Sequence, residues 1–113
     1  MRRGARPSAL GRDNTVIGVV ATNASLGKVH CTKVAQMAQD AIARCVYPSH
    51  TTWDGDTIFA VATGRWKEDK GSADEGLIGA LAADVLAAAI LRAIEKAETW
   101  GPYPAARDYS KKS

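Results

Sequence analysis

Two short apolar runs stand out along the chain as strands. The first covers residues 15–22, and the second covers residues 57–63, where Gly64 ends it. Both are rich in β-branched residues and apolar on both faces, which is typical of strands covered on two sides. Because two strands alone do not make a stable sheet, we expect residues outside this chain to complete a larger sheet.

Two longer segments carry apolar residues at three- and four-residue steps, which predicts helices. The first begins after Ser25, whose hydroxyl can cap a helix, and ends before Pro48. The second follows Asp74, another capping residue, and has its larger apolar residues within 77–94. Alanines make this helix apolar over most of its circumference, so we expect it to be buried between layers. The order strand, helix, strand, helix predicts an α/β fold.

Size and charge narrow the possible functions. The chain has 113 residues, a single domain's worth at most, and a formal net charge of +3 concentrated at its two ends. No aromatic platform accompanies the basic residues, so we expect no nucleic-acid partner. Asp84 and Arg92 interrupt the most apolar segment, so we expect no membrane span. The arginine-rich N-terminus lacks the apolar stretch of a secretory signal.

The two cysteines predict neither a disulfide nor a metal site. Cys31 and Cys45 fall in one predicted helix, which separates their Cα atoms by about 21 Å. The sequence has no Cys/His spacing typical of a metal site, so we expect no metal. Free thiols fit a reducing compartment, and we expect a cytoplasmic protein.

The first candidate for chemistry is the pair Asn14–Thr15. A threonine hydroxyl is a poor nucleophile unless a base takes its proton, and a threonine at a new chain terminus can use its own α-amino group. Before cleavage, the Thr15 hydroxyl can attack the preceding carbonyl, and the Asn14–Thr15 bond then breaks by an N-to-O acyl shift. The alternative is an ordinary turn before a strand.

The second candidate is Asp54-Gly55-Asp56, directly before the second strand. Residues two apart in extended chain share a face, so both carboxylates can act together in general acid–base chemistry. The alternatives are a tight turn or a divalent-ion site. If the two strands are neighbours, Thr15 and both aspartates meet at one edge of the sheet.

Two nearby residues each have two interpretations. His50 can orient the loop before the second strand or take part in catalysis, but a structural, hydrogen-bonded histidine is the simpler interpretation. Trp53 can line a substrate pocket or wedge the loop against the core.

These segments resemble a known family. Residues 14–24, 35–38 and 50–64 are similar to the L-aminopeptidase/D-amidase-esterase family, which includes β-aminopeptidases and the nylon-oligomer hydrolase. The resemblance implies a precursor that cuts itself into a large α and a small β subunit. Residues 1–14 then correspond to the tail of the α subunit or a linker, and residues 15–113 to the nucleophile-bearing β-subunit domain.

The resemblance also implies roles and partners. Thr15 becomes the nucleophile, and Asp54 and Asp56 help to activate it. The implied fold is an αββα sandwich, assembled as an αβ hetero-oligomer or a homo-oligomer, with no metal or organic cofactor. Small peptides, amides or esters are the implied substrates.

The family's α subunit supplies an oxyanion asparagine and, in the amidases, a lysine, and this chain lacks that subunit. We therefore expect the chain alone to be inactive and unable to process itself. Two alternatives stay open: a non-catalytic remnant that binds a partner through its apolar sheet, and an acyltransferase similar to the ornithine acetyltransferases.

Overall fold

The computed structural model describes residues 15–68 and 73–109, so the predicted tail 1–14 lies outside the described residues. The chain forms the mixed α/β fold that the sequence predicts, with helices packed against a two-stranded sheet. The elements in order are β1 (Ile17–Thr22), α1 (Lys28–Ala38), α2 (Asp40–Cys45), β2 (Thr57–Ala62), α3 (Glu75–Lys96) and α4 (Ala106–Tyr109).

The two strands pair in parallel, in register from Ile17 opposite Thr57 to Thr22 opposite Ala62. Backbone hydrogen bonds extend the ladder at both ends: Thr57 N donates to Val16 O and Thr63 N donates to Thr22 O, each at 3.0 Å. In a parallel pair the beginnings of both strands lie at the same edge of the sheet. The residues that precede β1 and β2 are therefore neighbours.

The sheet is covered on one face only. Val20 and Ile58 point toward the helices and pack against the core cluster of α1, α2 and α3. Side chains of the opposite face are open to solvent, with Ile17 70%, Val19 61% and Phe59 60% exposed. The sequence predicts strands that are covered on both faces, but among the described residues only the helices on one face cover the sheet. They do not form the second sheet of an αββα sandwich.

Small residues let the helices approach the sheet and each other closely. The buried cluster consists of Ala38, Ala41, Leu86 and Ala87, with Ile42 fully buried beside it. Gly79 of α3 lies directly against Met37 of α1, and a Cβ atom at position 79 would overlap Met37 Sδ. This glycine therefore sets the distance at which α1 and α3 cross.

The first predicted helix differs from the structure in two ways. It is divided at Gln39 into α1 and α2, where Ile42 N donates to Gln39 O in a tighter turn. It is also capped by Gly27 rather than Ser25. The later start has a physical reason, since the carbonyls of Asn23 and Ala24 continue to accept hydrogen bonds from the chain after β2.

The helix α3 begins as the sequence predicts. Asp74 Oδ1 accepts hydrogen bonds from Gly76 N at 3.0 Å and Leu77 N at 3.2 Å, which caps the first turn. In length and composition α3 could also cross a membrane, a property that it shares with core helices of soluble proteins. It packs here against α1, α2 and β1. Burial is nevertheless incomplete, and the exposed apolar residues are Leu77, Leu81, Val85, Leu91 and Ile94.

We predict that Gly79→Ala destabilises the chain in spite of the better helix propensity of alanine. The propensity gain is about 1 kcal/mol, whereas overpacking in a filled site costs about 1–3 kcal/mol. The Met37 Cβ atom would lie only 3.1 Å from the new methyl group and cannot move away as its sulfur can. Urea unfolding gives the free energy of unfolding, and we expect a net loss of about 1 kcal/mol.

A double-mutant cycle provides the control. In a Met37→Gly background the sulfur, the terminal methyl group and the Cβ atom of residue 37 are all absent, so Gly79→Ala should become stabilising because only its propensity gain remains. The same sign of effect in both backgrounds would contradict the proposed contact.

Candidate active site

The structure brings the sequence-predicted site residues to one edge of the sheet. Thr15 lies just before β1, and Asp54, Gly55 and Asp56 lie just before β2. Because β1 and β2 run in parallel and in register, these two segments face each other. Asn14, the other half of the predicted cleavage site, lies outside the described residues.

Asp56 contacts the backbone of the first strand directly. Its Oδ1 atom accepts a hydrogen bond from Val16 N at 3.0 Å, and Val16 is the residue that follows Thr15. Its Oδ2 atom lies 3.8 Å from His50 Nδ1. The side chain is only 6% exposed, so this carboxylate is nearly removed from water. Burying a carboxylate is costly unless it is paired or hydrogen-bonded, and both of its oxygens face a polar group.

Asp54 has different partners. Its Oδ2 atom accepts hydrogen bonds from Thr51 N and Thr51 Oγ1, both at 2.9 Å. The Asp54 backbone N–H in turn donates to Thr51 O at 3.1 Å. Asp54 thus closes a local turn of residues 51–54, which precedes the Asp54-Gly55-Asp56 segment where the sequence left a tight turn open. Although the sequence presents the two aspartates as an equivalent pair, their contacts separate them.

Gly55 lies against the candidate nucleophile. A Cβ atom added at position 55 would sit 3.1 Å from Thr15 Oγ1, closer than most real contacts of that kind. The missing side chain therefore leaves the room that the hydroxyl occupies. Because Gly55 has no side chain, Thr15 can lie close to the loop without a steric clash.

These residues line a cleft of about 510 Å³. Polar groups come from Thr15, Thr51, Asp54 and Asp56, and an apolar wall comes from Val16, Val46, Tyr47, Pro48 and Trp53. Trp53 thus lies in the cleft wall while remaining half-buried. A cleft with convergent polar groups and an apolar wall is the usual form of a small-molecule site.

A second cavity, of about 280 Å³, lies between α3 and the strands. Its lining is apolar apart from Thr22 and Cys31, and it has no carboxylate, so it lacks the groups for acid–base chemistry. Within residues 15–68 and 73–109, no cluster of three or more His, Cys, Asp or Glu side chains could hold a metal ion. The 510 Å³ cleft, by contrast, is lined by hydroxyl and carboxyl groups, the side chains that acid–base and nucleophilic chemistry uses.

Two features of the site were missed by sequence reasoning. The Val16 backbone N–H is an anchor for Asp56, and no side-chain pattern signals a backbone donor. Thr51 is the partner of Asp54, and its position three residues earlier is the spacing of a side-chain-closed turn. That spacing was readable in the sequence.

Comparison with known proteins places these residues in context. A profile of peptidase family S58 matches residues 2–104. An uncharacterised aminopeptidase of Mycobacterium leprae is 46% identical over 86% of this chain and 30% of its own length. An uncharacterised aminopeptidase of Mycobacterium tuberculosis is 40% identical over 84% of this chain and 30% of its own length.

A 6-aminohexanoate-oligomer endohydrolase of Kocuria is 31% identical over 71% of this chain and 25% of its own length. No solved structure gave a significant match. The chain therefore spans less than a third of the length of these curated relatives.

We predict that Gly55→Ala displaces the Thr15 side chain. The added methyl group would force the hydroxyl to move by a few tenths of an ångström, because the two groups would otherwise lie 3.1 Å apart. The γ-methyl resonance of Thr15 in a methyl-labelled NMR spectrum should shift. Gly27→Ala is the matched control, since a Cβ atom there meets nothing within 4 Å. An unchanged Thr15 resonance in Gly55→Ala would contradict the contact.

Proposed function

The chain belongs to peptidase family S58, and we propose that it is the nucleophile-bearing part of a self-cleaving amidohydrolase. The family match confirms the resemblance to the L-aminopeptidase/D-amidase-esterase proteins. In the proposal, Thr15 is the nucleophile and attacks amide or ester carbonyls. The relative from Kocuria, by its name, hydrolyses an amide oligomer, which is a substrate of the same chemical class.

One observation carries the proposal: Thr15, two residues before β1, lines the carboxylate-bearing cleft and lies against Gly55 of the Asp54-Gly55-Asp56 loop. A hydroxyl needs a nearby base to become a nucleophile. Thr15 has two carboxylates in the same cleft, one of them anchored to the backbone of the next residue. Rigid placement of this kind lowers the entropic cost of reaching the transition state.

The proposed self-cleavage balances as an acyl transfer. The Thr15 hydroxyl attacks the carbonyl carbon of Asn14, the C–N bond to Thr15 breaks, and an ester to Thr15 Oγ1 forms. Water then hydrolyses the ester, releasing the Asn14 carboxyl group and restoring the hydroxyl. The product carries a free α-amino group on Thr15, close enough to its own hydroxyl to act as a base.

Turnover repeats the same chemistry on a substrate. The freed α-amino group, assisted by the carboxylates, takes the hydroxyl proton as Oγ1 attacks the substrate carbonyl. The amine or alcohol leaves with a proton, and an acyl group remains on Thr15. Water hydrolyses this acyl-enzyme and completes the cycle. With an amine in place of water, the same intermediate would give the acyltransferase alternative.

We propose that an α portion of family length covers the open face of the sheet. Ile17, Val19 and Phe59 expose apolar surface there, which is costly in water. A second sheet packed on this face would complete the αββα sandwich and an αβ assembly. The same α portion would supply the oxyanion donor, an interaction worth about 10²–10³ in rate. We further propose that the assembly is cytoplasmic, in keeping with its two free cysteines.

We predict that Thr15→Ala abolishes both self-cleavage and hydrolysis when the chain is produced with the α portion of its own source. Thr15→Ser should retain both, because it keeps the hydroxyl. Intact-mass measurement reports cleavage as a fragment that begins at residue 15, and release of an aromatic amine from a small amide reports hydrolysis. The chain alone should show neither.

Two outcomes would contradict this assignment. Hydrolysis by the Thr15→Ala protein would exclude Thr15 as the nucleophile. A wild-type assembly that forms but neither cleaves nor hydrolyses would instead favour the non-catalytic remnant.

We predict that Val19→Lys combined with Phe59→Lys prevents assembly with the α portion. Both side chains lie on the open sheet face and are about equally exposed, at 61% and 60%. Buried lysines would be costly there, so co-purification should be lost while the isolated chain stays folded. Val29→Lys is the control, since Val29 is 78% exposed on α1. Assembly by the double-lysine protein would refute the proposed contact face.

A further inference from the structure

We propose that His50 is a positioning residue, which orients the Asp56 carboxylate and through it the start of β1. This inference rests on the proposed function for its effect on catalysis, but the contact itself is independent of any activity. His50 Nδ1 faces Asp56 Oδ2 at 3.8 Å, while Asp56 Oδ1 receives the Val16 N–H at 3.0 Å. Asp56 thus connects the histidine to the residue that follows Thr15.

The burial of Asp56 is the first argument. A carboxylate that is only 6% exposed needs a compensating charge or hydrogen bonds for both oxygens. Val16 N–H serves Oδ1, and in the described part of the chain His50 is the sole basic side chain within ion-pair distance of Asp56. Without the imidazole, Oδ2 would lose this partner and the carboxylate would be free to rotate away from Val16.

The distance defines the kind of contact. At 3.8 Å the two atoms lie beyond hydrogen-bonding distance, so the ring nitrogen faces the carboxylate oxygen without bonding to it in this structure. The imidazole is 42% exposed, so neighbouring side chains enclose it only in part. Hydrogen bonds at active sites are often long in the free protein and shorten when substrate binds.

The backbone at His50 is the second argument. Its φ angle of 57° lies in the left-handed region, where glycine is the most tolerant residue and asparagine is also common. A position that required only this backbone shape would be best served by glycine. Histidine, like asparagine, adopts this shape more readily than most residues other than glycine, and it adds a ring nitrogen facing Asp56.

Asp54 completes the arrangement from the other side. Asp54 Oδ2 accepts a hydrogen bond from Thr51 N, and Thr51 is the residue directly after His50. The closed turn of residues 51–54 therefore fixes the chain from which the imidazole projects. On this account the two aspartates have separate tasks: Asp54 holds the loop that carries His50, and Asp56 holds the nucleophile's strand.

Three variants separate the imidazole from the backbone shape. His50→Gly keeps the left-handed backbone and removes the nitrogen. His50→Asn also suits this backbone and places an amide nitrogen near the position of Nδ1. His30→Asn is the matched control, because the other histidine contacts Glu75 at the start of α3, away from the cleft.

The direct readout is hydrogen exchange of the Val16 amide, measured by NMR in the full 113-residue chain. We expect about tenfold faster exchange in His50→Gly, as for loss of one hydrogen bond. His50→Asn and His30→Asn should exchange at the wild-type rate. Equal protection of Val16 in His50→Gly and wild type overturns the proposal, and so does equal loss in the glycine and asparagine variants.

Kinetics of the assembly with its α portion give the second readout. His50→Gly should lower kcat by about 10²-fold with little change in KM, and His50→Asn should restore most of kcat. A full-rate His50→Gly enzyme would show that the position matters only for loop shape. If every form of the assembly is inactive, the proposed function fails, while Val16 exchange still decides the role of His50.

Discussion

Parallel pairing of β1 with β2 is the constraint on which the site depends. The register that sets Ile17 opposite Thr57 also brings Thr15 against Gly55. In the sequence, Thr15 precedes the two carboxylates of this loop by 39 residues or more. A slip of one residue would turn every side chain of a strand to the other face of the sheet. Val20 and Ile58 would then leave the core, so the packing that stabilises the sheet also fixes the geometry of the cleft.

The same sheet supports the proposal that the chain is part of a larger architecture. The helices on its covered face use alanine and glycine so that α1 and α3 can pack closely, and its open face retains large apolar side chains. A large exposed apolar surface of this kind usually marks a site where another apolar surface binds. The cleft lies at the edge of this sheet, so a second sheet on the open face could contribute groups to the cleft. Binding of that second sheet would then both bury the open face and complete the catalytic site.

Much of the fold could be predicted because its determinants are local. Strand composition predicted both strands, and the capping carboxylate of Asp74 predicted the start of α3. The prediction that Ser25 caps the first helix was wrong. The carbonyls of Asn23 and Ala24 accept hydrogen bonds from the chain after β2, so the helix begins later. Such long-range hydrogen bonds cannot be read from helical periodicity. The sequence placed both aspartates at the site, but it could not divide their tasks, since Val16 contributes a backbone group and the left-handed His50 is set by its loop.

We propose above all that the Thr15 hydroxyl, held against the aspartate loop, forms a covalent bond with substrate. The most direct measurement is acyl trapping of the assembled protein with an activated ester, followed by peptide mapping in a mass spectrometer. We expect a single acyl group on a peptide that begins at Thr15. An acyl group on a different residue, with the bond between residues 14 and 15 still intact, would contradict it.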